Sequence, residues 1–240
     1  MAEITVVHDA AALAEAAAAQ FVQAANQALA RQDRWAVALS GGATPQAAYQ
    51  RLAAPDLASQ VDWARVHLFW GDERCVPPDH PESDYGMARA ALLDHIPVPP
   101  ANVHRMRGEL DPAEAAAAYQ AELESFFGLA WPHFDLVWLG LGEDGHTASL
   151  FPGTAALRET QRYVVANWVE KLNAWRLTLT APVINHASRR TFLVTGSRKA
   201  QILKEVLQGP YQPEIRPAQL VLPEAGALVW LVDRDAASQL

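Results

Sequence analysis

Cysteine is almost missing from this 240-residue chain: Cys75 stands alone, so an intramolecular disulfide is excluded and a reducing compartment fits. Long apolar runs are missing too. No stretch reaches the roughly 18 residues of a membrane span, and the first residues carry neither the basic nor the apolar region of a secretory signal. The expectation is a soluble, cytoplasmic protein with no membrane partner. Positive charge is in deficit, 19 Lys and Arg against 27 Asp and Glu, for a formal net charge of −8. Nucleic acid is therefore a poor partner, because phosphate-backbone binding draws on surplus basic side chains, and any anionic ligand has to be met by a local cluster. The eight histidines are scattered without a His-x-x-x-His pair, and nothing has metal-ligand spacing, so neither metal nor cofactor is expected. No Gly-x-Ser-x-Gly elbow is present, which argues against covalent serine chemistry. Gly140-Leu141-Gly142 continues to Gly145 and matches a dinucleotide fingerprint by letter. Yet Pro152 leaves room for about one helical turn after it, where a dinucleotide site requires a long helix.

Half of the residues are hydrophobic and 19% are charged, a composition that builds a sizeable core. With no internal repeat, low-complexity linker or break in composition, residues 1–240 read as one domain. Apolar runs at 35–39, 66–70, 134–139, 163–169, 191–195 and 227–232 have the near-continuous character of strands covered on both faces. Helical periodicity separates several of them. Residues 10–31 carry Leu13, Ala17, Phe21, Ala24 and Ala28 on one stripe behind a capping Asp9, Ser83 starts a helix to about residue 95, and Asp111-Pro112-Ala113-Glu114 is a helix start. Shorter helices are expected over 46–53 and 198–208, the second capped by Ser197 and closed by Gly209, and the tail from Asp233 is expected to fray. Strands alternating with helices imply an α/β fold: a mainly parallel, Rossmann-like sheet with helices on both faces.

The polar residues that stand out all follow strands. Ser40-Gly41-Gly42-Ala43-Thr44-Pro45 joins a strand to a helix start, a recipe for an anion site with free N–H groups at the positive end of the helix dipole. Asp72-Glu73-Arg74 puts three charges after an apolar strand, read either as a solvated loop or as part of a site. Asp144-Gly145 forms a turn that delivers His146 to the carboxyl edge of the sheet, where ligands of open α/β folds bind. Trp175 to Thr180 alternates, placing Arg176, Thr178 and Thr180 on one face. Arg198 and Lys199 set positive charge on a first helical turn, which local electrostatics disfavours unless an anion sits there. Cys75 beside Arg74 is either a thiol with a lowered pKa or an inert packing residue. The loops at 40–45, 71–78, 140–152 and 196–199 should meet along one edge, as a phosphate site next to an imidazole base.

The same segments, in this order, carry a resemblance. Ser40 to Pro45, Asp72-Glu73-Arg74 with Val76-Pro77, Gly142 to Pro152, Arg176-Leu177-Thr178-Leu179-Thr180 and Gly196-Ser197-Arg198-Lys199 are similar to the motifs of the glucosamine-6-phosphate isomerase/6-phosphogluconolactonase family, over about 37–232. Thr147-Ala148-Ser149-Leu150-Phe151-Pro152 resembles the lactonase branch. The deaminase branch reads Ile-Ala-Phe-Asn-Glu-Pro there and uses its glutamate, whereas no acid occurs here between His146 and Glu159. The resemblance implies metal-free hydrolysis of 6-phosphoglucono-δ-lactone in the oxidative pentose phosphate pathway. It implies His146 as base with Asp144 orienting it, and a phosphate cradle of Ser40, Gly41, Gly42, Thr44, Arg74, Arg176 and Lys199. Asp72 and Gly142 would be further substrate contacts. A sugar-phosphate lactone is the expected partner. The alternatives are a deaminase or isomerase with the same cradle, and a sugar-phosphate-binding regulator without catalysis. No oligomeric state is set, and a monomer is compatible with the sequence.

Overall fold

In the computed structural model, residues 2–128, 131–222 and 225–240 are described. Nine strands occur among them: β1 (Glu3–Val7), β2 (Trp35–Leu39), β3 (Val66–Trp70), β4 (Asp72–Arg74), β5 (Leu136–Leu139), β6 (Val164–Val169), β7 (Ala174–Leu179), β8 (Arg189–Val194) and β9 (Ala227–Asp233). The α-helices are α1 (Ala10–Leu29), α2 (Ala43–Leu52), α3 (Pro55–Ala58), α4 (Asp84–Ala91), α5 (Pro112–Phe127), α6 (Ala181–Asn185) and α7 (Ala200–Gln208). Six strands form one sheet in the order β1-β9-β8-β5-β2-β3, and every pairing in it is parallel. The other three form an antiparallel sheet, β4-β7-β6.

Helices cover both faces of the large sheet, as the strand sequences require. Register pairs Trp35 with Val66 and Val37 with Leu136, so Trp35, Val37, Leu136 and Trp138 share a face. On it Phe21 of α1 meets the rings of Trp35 and Trp138 at 4.8 and 5.6 Å, and Tyr49 of α2 stacks on Trp138. Ala36, Ala38, His67 and Phe69 point the other way, where Phe126 and Phe127 of α5 close over Phe69. Both faces are apolar, which is why β2 is buried along its whole length. Two buried tyrosines fasten the carboxyl ends of β2 and β3. Tyr49 Oη accepts from Ser40 N at 3.0 Å and donates to Ser40 O, while Tyr119 Oη accepts from Trp70 N at 2.9 Å.

The caps expected at Asp9, Ser83 and Asp111 are made. Other expectations need correction. Two strands escaped the hydrophobic pattern: β1, a half-exposed edge strand, and β4, whose charges made it read as a loop. Ser197 does not cap α7; it opens a 3-10 turn, Ser197–Lys199, and Lys199 is the residue that enters the helix. The tail is ordered by its own carboxylate, because Asp233 accepts from Gly196 N at 3.0 Å and Ala236 N at 2.8 Å, and Ala236 is fully buried. Among the described residues no helix is long and apolar enough to cross a membrane.

The strand order sets where a ligand can enter. From β2 the chain moves outward to β3, whereas from β5 it moves the opposite way, to β8 and then β9. The order reverses between β2 and β5, so the loops leaving their carboxyl ends part and open a crevice.

Candidate active site

That crevice is a cavity of about 320 Å³, walled by loops from five strand ends. Ser40, Gly41 and Gly42 come from β2, Asp72 and Arg74 from β4, Gly140, Leu141, Gly142 and His146 from β5, Arg176 from β7 and Lys199 from the turn after β8. The four loops expected to converge therefore do. Of the catalytic and substrate-binding residues that the resemblance implies, Thr44 and Asp144 stay off the cavity wall. Thr44 Oγ1 lies 2.7 Å from Thr195 Oγ1 and ties the loop after β2 to the one after β8. Asp144 stands behind His146.

His146 is held on three sides. Nδ1 lies 2.5 Å from Asp144 Oδ1, which also accepts from the His146 backbone N–H at 3.2 Å. With Nδ1–H donated to a carboxylate, Nε2 is the nitrogen that keeps a lone pair. Phe151 stacks on the imidazole at 4.1 Å between centroids and 22° between planes. The third side is Gly142, where a Cβ would fall 1.9 Å from His146 Nδ1 and 2.7 Å from Asp144 Oδ1, so any larger residue would expel the pair. The turn is pinned by Gly142 N–H to His146 O at 2.8 Å and by Thr147 Oγ1 to Gly140 O at 2.9 Å. Burial lowers the His146 pKa to about 4; Asp72 pulls it upward, and Lys199, Arg74 and Arg176 push it further down. The adjoining Asp144 carboxylate also favours the proton. Burial and the three cations prevail, and the ring is neutral near pH 7.

Cationic side chains line the same cavity as the imidazole. Antiparallel pairing sets Arg74 of β4 directly across from Arg176 of β7. Like charges facing each other across strands repel, and Lys171 and Lys199 are further cations lining the cavity. Burial followed by Arg74 lowers the Arg176 pKa, and burial lowers that of Lys199. No side chain caps the start of α2, whose preceding residue Gly42 lines the cavity beside them. A protein of net charge −8 has gathered Arg74, Lys171, Arg176 and Lys199 with an open helix start in one crevice, an arrangement complementary to a dianion.

Acidic residues organise this wall. Glu73, almost fully buried, accepts from the backbone N–H groups of Arg74, Asp84 and Tyr85 at 2.7 to 2.8 Å and from Ser83 Oγ at 3.1 Å, anchoring the start of α4. It is structural, and the reading of 72–74 as a solvated loop fails. Asp84 Oδ2 lies 3.1 Å from Arg74 Nε. Its carboxyl fills the space that a side chain at Gly41 would need, with Oδ1 1.7 Å from the Cβ position. Burial, then Asp72, drive the Asp84 pKa well above the ordinary carboxylate range. Asp72 accepts from Ser149 Oγ at 2.7 Å, so Ser149 acts as a support for a carboxylate. Cys75 is no reactive thiol: burial raises it to about 11 against the opposing pull of Arg176.

Two residues of the cavity carried no sequence signal. Asp84 was legible only as part of a helix start. Lys171 sits in the turn between β6 and β7, and its ammonium contacts Asp144 Oδ2, 27 positions earlier in the chain. No spacing rule links the two.

The chain is similar to known proteins over most of its length. The family model of glucosamine-6-phosphate isomerases/6-phosphogluconolactonase matches residues 8–230. A 6-phosphogluconolactonase of Synechocystis is 43% identical over 218 residues, covering 89% of this chain and 88% of that one. The human 6-phosphogluconolactonase is 41% identical over 210 residues, 86% of this chain and 81% of its own. Among solved structures, the 6-phosphogluconolactonase of Trypanosoma brucei superposes with a TM-score of 0.90 at 29% identity, covering 100% of this chain and 99% of that one. A monomeric glucosamine-6-phosphate deaminase superposes with a TM-score of 0.82 at 21% identity, a likeness of fold alone.

Proposed function

The chain belongs to the family of glucosamine-6-phosphate isomerases and 6-phosphogluconolactonases, and from that membership we propose that it hydrolyses 6-phosphoglucono-δ-lactone to 6-phosphogluconate, with His146 as general base. The observation that carries the reading is that His146, oriented by Asp144, lines one cavity with Arg74, Arg176 and Lys199, and that this cavity is the size of one sugar phosphate.

The phosphate binds between Arg74, Arg176 and Lys199, with the Ser40-Gly41-Gly42 loop and the open start of α2 below it. Its charge relieves the repulsion of the facing arginines. This anchors the lactone with its carbonyl toward His146. Nε2 takes a proton from water as the oxygen attacks the carbonyl carbon, giving a tetrahedral intermediate. The imidazolium, stabilised by Asp144, then protonates the ring oxygen as the C–O bond breaks. The ring opens to a hydroxy acid, which releases one proton to solvent at neutral pH, and His146 is neutral again. No covalent intermediate with the protein is formed. General base help contributes about 10²–10⁴-fold, and an activated ester requires little beyond it and orientation.

The lactonase reading is preferred to the deaminase one because the residues after His146 supply no carboxylate: Ser149 is committed to Asp72, and the next acid is Glu159. The test is lactone hydrolysis, corrected for spontaneous ring opening, set beside ammonia release from glucosamine 6-phosphate. Fast lactone turnover without ammonia is expected. Ammonia release would replace the reading with the deaminase one, and binding without turnover of either would replace it with a regulator.

A further inference from the structure

The β6–β7 hairpin ends in a 3-10 turn, Glu170–Leu172, followed by Asn173 in the left-handed region at φ 47°. Its tip leans over the cavity, where Lys171 and Leu172 join the wall. Lys171 meets both supports of the imidazole. Its ammonium pairs with Asp144 Oδ2, and Nζ lies 4.9 Å above the centroid of Phe151, the ring stacked on His146. Oδ1 of the same carboxylate holds His146 Nδ1. The chain Lys171–Asp144–His146 thus runs from a hairpin tip to the catalytic ring, and each carboxylate oxygen has a separate partner.

An aspartate held by its histidine alone can rotate about its own side-chain bonds, and the short Asp144-Gly145 turn offers no second side-chain donor. We propose that Lys171 is a positioning residue for the acid–base pair: its ammonium fixes Asp144 Oδ2 so that Oδ1 stays on His146 Nδ1 and Nε2 stays free for the reaction. The role rests on the reading of His146 as base. Lys171 also offsets the charge of Asp144, so the imidazole receives its orientation from the carboxylate without its full pull on the proton. The other charged groups facing the imidazole are Asp72 and Arg74 from β4, Arg176 from β7 and Lys199 from the turn before α7. None of them contacts Asp144 Oδ2.

The test compares Lys171→Met and Lys171→Arg with the wild type over pH 4.5–8, following kcat and KM for the phosphorylated lactone, and titrates His146 in the unliganded proteins by NMR. Lys171→Met should lose roughly ten- to a hundredfold in kcat, as misplaced catalytic groups do, with KM moving by less than about twofold. The acid limb of kcat and the His146 titration should both move to higher pH by roughly half to one unit, because the ammonium that opposes protonation of the imidazole is gone. Lys171→Arg should restore both. Unchanged kcat and titration overturn the proposal. So does a rise in KM that matches the loss in kcat, which marks a substrate contact, and so does a loss of kcat with an unmoved titration that arginine fails to rescue. His146→Ala in the wild-type background separates the two levels. If that variant keeps turnover, the base assignment itself falls; if it loses turnover while Lys171→Met behaves as wild type, only the role of Lys171 falls.

Discussion

Lys199 shows at the scale of one residue how the sequence and the site explain each other. A cation entering α7 meets the positive end of the helix dipole, a cost of about 0.3–1 kcal/mol, and burial further disfavours its charge. A bound dianion reverses both terms. Lys199→Ala is therefore expected to raise KM for the phosphorylated lactone while leaving the slow turnover of unphosphorylated gluconolactone nearly unchanged, with Tm constant or slightly higher. Steady-state kinetics on the two lactones checks this, and equal losses on both would move Lys199 from the phosphate to the carbonyl. Residues such as Lys199 and His146 were legible because they break a local rule: a cation where an anion belongs, an imidazole at the mouth of a strand. Asp84 and Lys171 break none. Each looks ordinary in its own segment, and its meaning comes from a partner that the fold alone brings near.

Among the elements, the loop that follows β5 is built around the space at Gly142. A methyl group there would collide with His146 Nδ1 and Asp144 Oδ1. Gly142→Ala should consequently lower kcat by about 10²-fold or more with little change in Tm, because the ring can move toward the cavity without disturbing β5. A crystal structure of the variant would show the ring displaced; an undisplaced ring with full activity would contradict the account. The strands of the large sheet were readable as apolar runs because both of their faces are buried. β1 and β4 were not. β1 is an edge strand with little burial, and β4 consists of three charged residues whose partners, Ser149 for Asp72, α4 for Glu73 and Asp84 for Arg74, lie on other elements. A strand satisfied by distant partners looks like a loop in sequence.

For the molecule as a whole, the reversal of strand order between β2 and β5 gathers residues from positions 40 to 199 into one cavity. The convergence could be inferred from strand–loop alternation alone. What alternation does not give is the cost of keeping half-buried imidazoles neutral. His67, paired with His104 Nε2 at 3.1 Å beneath Phe126, has its pKa lowered to about 4 by burial first, then by His104 and Arg34. His146 is lowered to about 4 as well. Above the unfolded value near 6.5 neither state binds the proton; between 6.5 and 4 the unfolded chain takes it up and the native one does not. Stability should therefore fall as pH drops through that window. Asp84, whose raised pKa acts in the opposite direction, also contributes there, so the readout is the comparison with His67→Gln: the variant should lose less of its urea midpoint than the wild type between pH 7.5 and pH 5, and an equal loss in both would show His67 to take up its proton in the native state.

The central claim, that a neutral His146 activates water beside a phosphate cradle, is tested most directly by kcat in His146→Ala together with binding of 6-phosphogluconate. In that variant kcat is expected to fall by about 10²–10⁴-fold with product affinity nearly unchanged, since the imidazole acts in the transition state and does not hold the phosphate. A correctly folded His146→Ala protein that turns the lactone over at close to the wild-type rate would contradict it.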